Sequence, residues 1–198
     1  MDEMLLRILV WTDYRLAVIF TMLIPLGLLV WAAVKRSGAM VHLLIIYWRV
    51  ASLLAITVYL MIAAMPISFV SGLCARILIP ISLWFWVDLN EEIEDLPSSR
   101  PLKLCFTAWR WAVTIYTIGG AVLLIPNLRC AVLAKAQLIA DPFCNIWLEA
   151  PWAYKQIFHA NSTERFLGVL GILGLMIYVL YFSSFVLFKL GKQGRSAV

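Results

Sequence analysis

The sequence predicts an all-α, polytopic helical membrane protein with about five transmembrane helices, and three observations carry that prediction. Hydrophobic residues make up 64% of the 198-residue chain, well above the roughly 45–50% of a soluble domain. Charged residues make up 14%, against roughly 25% in the same reference. The mean hydropathy is +0.93, and the apolar residues lie in long uncharged runs. Together these exclude a soluble globular protein, a disordered chain and a disulfide scaffold, and the length suits a single membrane domain covering 1–198.

Residues 2–15 predict an amphipathic helix lying in the membrane interface. At about 100° per residue, Met4, Leu5, Ile8, Leu9, Trp11 and Thr12 share one face, and Glu3, Arg7 and Tyr14 the other. The acidic Asp2 and Glu3 argue against a cleaved secretory leader. Crossing the hydrocarbon takes about 20 mainly apolar residues. The runs at 16–34, 50–70, 111–128 and 166–188 meet that length, the first closed by Lys35 and Arg36 and the last by Lys189. Between the second and third of them, only 77–87 is uncharged, bounded by Arg76 and Asp88. It spans if extended to 73–89 with Arg76 snorkelling to one surface. The alternative is four spans plus a re-entrant segment. The Trp84-Phe85-Trp86 run favours the span, because Trp marks membrane interfaces.

Residues 126–165 form a cap on the extracytoplasmic side, with one short helix over 131–140. Phe143, Trp147, Trp152, Tyr154 and Phe158 follow it, more aromatics than an uncovered aqueous loop exposes. Orientation rests on the Lys/Arg asymmetry. Lys35, Arg36, Arg100, Lys103, Lys189, Lys192 and Arg195 fall on one side, with Arg49 and Arg110 just inside it. Four of the basic residues opposite lie in the long cap, where the rule is weaker. The C-terminus is therefore placed in the cytoplasm.

Few polar features invite chemistry. Cys130 and Cys144 share the cap, where an exported loop permits a disulfide. Cys74 and Cys105 read as packing residues. Asp88, Glu91, Glu92, Glu94 and Asp95 crowd one stretch at the end of the third span. Such carboxylates can hold Mg²⁺ at a membrane surface. Membrane prenyltransferases and phospholipid synthases need further aspartates on a second segment, and this chain has no second cluster. Glu91, Glu92, Glu94 and Asp95 are therefore read as a docking patch for a basic partner. Asp88 is assigned to a structural ion cluster with Arg49 and Arg110, because intramembrane charges are costly and usually paired. Gly168, Gly171 and Gly174 form a small-residue stripe for close helix approach. His42 and His159 fall on opposite sides, so they do not ligate one cofactor. No catalytic set is present, and no metal or cofactor is expected. The scattered basic residues give no nucleic-acid footprint. The expected partners are membrane lipids and other integral membrane proteins.

Leu9-Val-Trp-Thr-Asp-Tyr-Arg-Leu16, Ile24-Pro-Leu-Gly27 before Lys35-Arg-Ser37, and Trp84-Phe-Trp-Val-Asp-Leu-Asn-Glu91 together resemble an uncharacterised integral membrane protein family of cyanobacteria. The likeness covers the whole chain. It implies a phototroph and a thylakoid or plasma membrane, and it supplies no reaction and no functional residues. The functional expectation is an accessory or assembly protein of a membrane complex, photosynthetic as the resemblance implies, acting by protein–protein docking. The alternatives are a metal-dependent membrane enzyme on a lipid or isoprenoid phosphate at 88–95, and a transporter subunit using Arg49, Asp88 and Arg110.

Overall fold

The computed structural model describes residues 3–97, 100–190, 195 and 196. Asp2 and Lys192, which enter the sequence reading above, lie outside them. No strand occurs among the described residues, and five helices are long and apolar enough to cross a membrane. The chain is therefore a multi-pass membrane protein by length and composition.

The first rod runs unbroken over Glu3–Val34. It comprises α1 (Glu3–Ala17), one π-helical turn (Val18–Leu23) and α2 (Ile24–Val34). Residues 3–17 are thus continuous with the first long apolar helix. The backbone stays helical through Ala17, Leu23 and Ile24, and no cap interrupts it. At 1.5 Å per residue the rod is about 48 Å long, well beyond the hydrocarbon thickness. The apolar face predicted there, Met4, Leu5, Ile8 and Leu9, is exposed, while Leu6 and Val10 pack inward. The π turn has a local cause. Pro25 has no N–H to return to Thr21, which frees carbonyls in this turn. Tyr47 donates its hydroxyl to the Thr21 carbonyl at 2.9 Å, and Trp109 Nε1 donates to the Phe20 carbonyl at 2.8 Å. Neighbouring helices thereby satisfy the break within the bundle.

Helices α2 and α3 (Gly38–Ile62) each end in a Schellman motif with a non-glycine residue in the left-handed region. Arg36 has φ 54° and Ala64 φ 52°. Ser37 N–H donates to Ala32, and Met65 N–H to Leu60, closing the two turns. Pro66 then starts α4 (Ile67–Trp84). The second and third spans therefore lie earlier than the uncharged runs suggested. Arg49 and Arg76 sit inside helices instead of bounding them. With 18 residues, α4 is long and apolar enough to cross, one of the five such helices of the five-span expectation.

Two extended residues, Trp86 and Arg100, precede α5 (Val87–Glu94) and α6 (Pro101–Leu124). Proline at the first position of α6 suits a helix start, because its missing N–H had no partner to lose. A 3-10 segment (Ile125–Val132) leads into α7 (Lys135–Ala140) and α8 (Pro142–Phe158). The cap is thus largely helical. Asp141 caps α8 by accepting from Cys144 N–H at 2.9 Å, and Thr163 caps α9 (Glu164–Ser184) by accepting from Phe166 N–H at 3.2 Å. A π turn (Phe185–Leu190) extends α9.

Helix α3 is the hub, packed against α2, α4, α5, α8 and α9, and α6 closes the far side of α4. Two large apolar cores result, beside a small cluster of Leu53, Ala75 and Tyr178. One gathers Met40, Leu43, Tyr47, Leu83, Ile93 and Phe106 at the end that carries α5. The other gathers Leu6, Val10, Phe69, Leu138, Ile146 and Trp147 under α7 and α8. We name these the acidic end and the cap end. Cys74 and Cys105 are exposed on the bundle surface and not packed within it.

Candidate functional site

The acidic end is built around α5, whose sequence divides it into two faces. Leu89 and Ile93, one turn apart, are buried in the first core and hold the helix rigidly. Glu91, Glu92, Glu94 and Asp95 point outward and are exposed. Lys103, which might have neutralised one of them, instead donates its ammonium to the backbone carbonyls of Glu94 and Leu96, at 2.6 and 2.5 Å. It caps the C-terminal end of α5, where carbonyls lack partners. Among the described residues, these four carboxylates enter no ion pair.

Arg49, Asp88 and Arg110 do not form the cluster predicted from sequence. Arg110 is buried and donates to the side-chain carbonyl of Asn90, with its guanidinium 3.9 Å from the centre of the Trp84 ring. Trp84 is held in turn by its Nε1 donating to Thr114 Oγ at 2.9 Å. Asn90, and not Asp88, occupies the face of α5 that meets α6, because residues two apart on a helix point to different sides. Asp88 faces the C-terminal segment and accepts from Ser196 Oγ at 3.1 Å. Beside it, Arg195 donates to the Phe85 carbonyl at 3.0 Å. Arg49 turns to α9 and donates to the Tyr181 hydroxyl at 3.2 Å.

The charge cluster inside the bundle pairs residues that the sequence did not bring together. Arg76 on α4 forms an ion pair with Asp13 on α1, both largely buried, with side-chain exposures of 8% and 13%. The Tyr116 hydroxyl, from α6, donates to the Asp13 carboxylate at 3.0 Å, and its ring lies 5.2 Å from the Arg76 guanidinium. Along α4, Arg76 is about 13 Å from Ile67 and about 12 Å from Trp84. This is mid-depth, so Arg76 does not snorkel. Gly120 makes the space: a Cβ there would overlap Arg76 Nη1 and lie 2.6 Å from Cζ.

At the cap end, Cys130 and Cys144 are joined by a disulfide with Cα atoms 5.8 Å apart. Glu149 on α8 accepts from Arg7 Nε at 3.1 Å and from Trp11 Nε1 at 3.3 Å, fastening the cap to α1. Trp152 Nε1 donates to the Ile62 carbonyl at the end of α3. The glycine stripe meets an internal neighbour. Gly168 faces Ala63, Gly171 faces the Leu60 backbone and Gly174 faces Ile56, so the stripe seats α9 on α3.

Among the described residues, no three His, Cys, Asp or Glu side chains converge to hold a metal ion. A family model described as a protein of unknown function, DUF3177, matches residues 7–198. The chain belongs to that family. No curated protein and no solved structure matches it.

In this DUF3177 chain, the residues that organise the two ends were unevenly visible beforehand. The acidic helix and the cysteine pair stand out as local runs and spacings. The Asp13–Arg76 pair and the Arg7–Glu149 tie join residues 63 and 142 positions apart, which no local spacing signals. The one available cue was energetic: a lone Arg76 in an apolar stretch demands a counter-ion.

Proposed function

We propose that the chain is an accessory or assembly subunit of a membrane complex, joined to its partner by docking at α5. The observation that carries this reading is the contrast between the two ends of the molecule. At the cap end and in the bundle, Glu3, Asp13, Asp141 and Glu149 pair with arginines of the chain itself, and Glu164 is the single described acid there outside an ion pair. At the acidic end, four carboxylates are displayed on a rigid helix while the nearest lysine is engaged with backbone. Four like charges side by side repel, and their self-energy falls when a basic surface approaches. That arrangement favours association steered by electrostatics.

The Lys/Arg asymmetry supports a cytoplasmic C-terminus, which puts α5 on the cytoplasmic face and the disulfide in an exported cap. The sequence resemblance supports a cyanobacterial thylakoid or plasma membrane and a photosynthetic partner. Other integral membrane proteins with a basic cytoplasmic surface are the natural partners, and membrane lipids surround the rest. Native co-purification in mild detergent tests this. A stoichiometric partner should be retained at low salt and released as ionic strength rises. A chain that purifies alone at all salt concentrations would refute the docking reading. Tags at the two termini should label on opposite sides of the membrane, the C-terminal one from the cytoplasm.

A further inference from the structure

We propose that a lateral groove between α3, α4 and α9 binds an anionic membrane lipid, with Arg49 as the anchor for its acid group. The groove has a volume of about 350 Å³, and His42, Arg49, Phe85, Tyr178, Tyr181 and Phe182 contribute to its walls. It is open, and its walls are membrane-spanning helix, so what enters it comes from the bilayer.

Two observations point independently to an occupant. The first is Arg49. It lies about 16 Å along α3 from Gly38 and about 20 Å from Ile62, within an apolar helix. It is exposed, and among the described residues its side chain meets only the neutral hydroxyl of Tyr181. The two buried arginines differ: Arg76 has Asp13, and Arg110 has Asn90 and the face of Trp84. A cation on an open apolar wall calls for an anion from outside the chain. The second is Tyr178. The residue is 9% exposed, and its hydroxyl meets no hydrogen-bond partner among the described residues. A buried hydroxyl without a partner is costly, and this tyrosine is among the residues that line the groove.

The chemistry of the walls selects the ligand. His42 and Arg49 stand two turns apart on the same stripe of α3, on the acidic-end side of the groove. Arginine side chains lean toward the helix N-terminus, so the Arg49 guanidinium points toward that membrane surface. An acid headgroup is met there by a planar fork of donors, while the aromatic wall takes the hydrocarbon. Tyr178, whose hydroxyl lacks a partner among the described residues, stands further along the same wall.

Native mass spectrometry of the full chain in mild detergent, with added phosphatidylglycerol or phosphatidylcholine, tests the proposal. One phosphatidylglycerol should be retained in preference to phosphatidylcholine. Arg49→Gln should lower that retention about tenfold, Arg49→Lys, which keeps the charge but loses the fork, should lower it less than Arg49→Gln, and Tyr178→Phe should lower it to a smaller degree. The lipid-free thermal midpoint of Arg49→Gln should match wild type, because the residue is exposed. Equal retention of both lipids would overturn the proposal, as would unchanged phosphatidylglycerol binding by Arg49→Gln. Loss of a co-purifying protein, and not of lipid, in Arg49→Gln would also overturn it and assign the groove to a partner helix.

Discussion

Asp13 and Arg76, 63 positions apart in the chain, meet as an ion pair at mid-depth in the bundle, and Tyr116 completes the contact with a hydroxyl 3.0 Å from the carboxylate. Removing one partner of a buried pair leaves the other charge uncompensated, at a cost of about 3–5 kcal/mol. Asp13→Asn and Arg76→Gln should each lower the thermal midpoint in mild detergent by a correspondingly large amount. The double variant Asp13→Leu with Arg76→Met should recover most of that loss, because an apolar pair needs no counter-charge. A double variant as unstable as the single ones would show that the pair does more than compensate charge.

Gly120 and Gly119 offer a matched comparison. A methyl group at Gly120 collides with the Arg76 guanidinium, whereas one at Gly119 meets nothing within 4 Å. Gly119→Ala should be neutral or stabilising by up to about 1 kcal/mol, the ordinary helix gain. Gly120→Ala should destabilise and loosen the Asp13–Arg76 contact. Equal effects of the two substitutions, read by thermal unfolding, would contradict the placement of Arg76.

The π turn before Pro25 predicts a coupling between helices. Tyr47→Phe removes the donor to the Thr21 carbonyl and should cost about 1–3 kcal/mol, the penalty for a buried group left unpaired. In a Pro25→Ala background a backbone N–H becomes available to that turn, so the same Tyr47→Phe change should cost less. A double-mutant cycle measures the difference, and strict additivity would argue against the shared carbonyl.

The number of spans was legible in the sequence because hydrocarbon excludes charge, so long uncharged runs count helices. Their edges were not, for the same reason applied too strictly. Treating Arg49, Arg76 and Arg110 as boundaries displaced the second to fourth spans, although all three lie within helices. Pro66 was the better marker of the second break, since proline starts helices and Ala64 beside it adopts φ 52°. The acidic helix was legible as a local run, and the glycine stripe as a helical spacing. The lateral groove was not, because its walls come from three helices. Asn90 replaced Asp88 as the contact of Arg110 through a rotation about α5 that composition does not reveal.

The cap yields a redox prediction. Closing a loop of about 15 residues stabilises by around 3 kcal/mol in the chain-entropy model. Non-reducing mass spectrometry should recover Cys130 linked to Cys144, and replacing both with serine should lower stability by about that amount. Cys74 and Cys105, exposed on the bundle surface, should alkylate without reductant. Ready alkylation of Cys130 and Cys144 as well would place the cap in a reducing compartment and invert the orientation.

The central claim is that α5 docks a basic partner through summed charge, and a neutralisation series tests it most directly. Surface charges act through a potential screened over about 8 Å at physiological salt, so each contributes a little. Glu91→Gln, Glu92→Gln, Glu94→Gln and Asp95→Asn should each reduce partner retention mildly. The four together should release the partner while the thermal midpoint stays near wild type, because Leu89 and Ile93 still anchor the helix. Full retention of the partner by the quadruple variant would contradict the claim. So would abolition of function by Glu91→Gln alone with stability and partner binding intact, which would indicate a fixed metal-ligand geometry in place of a docking surface.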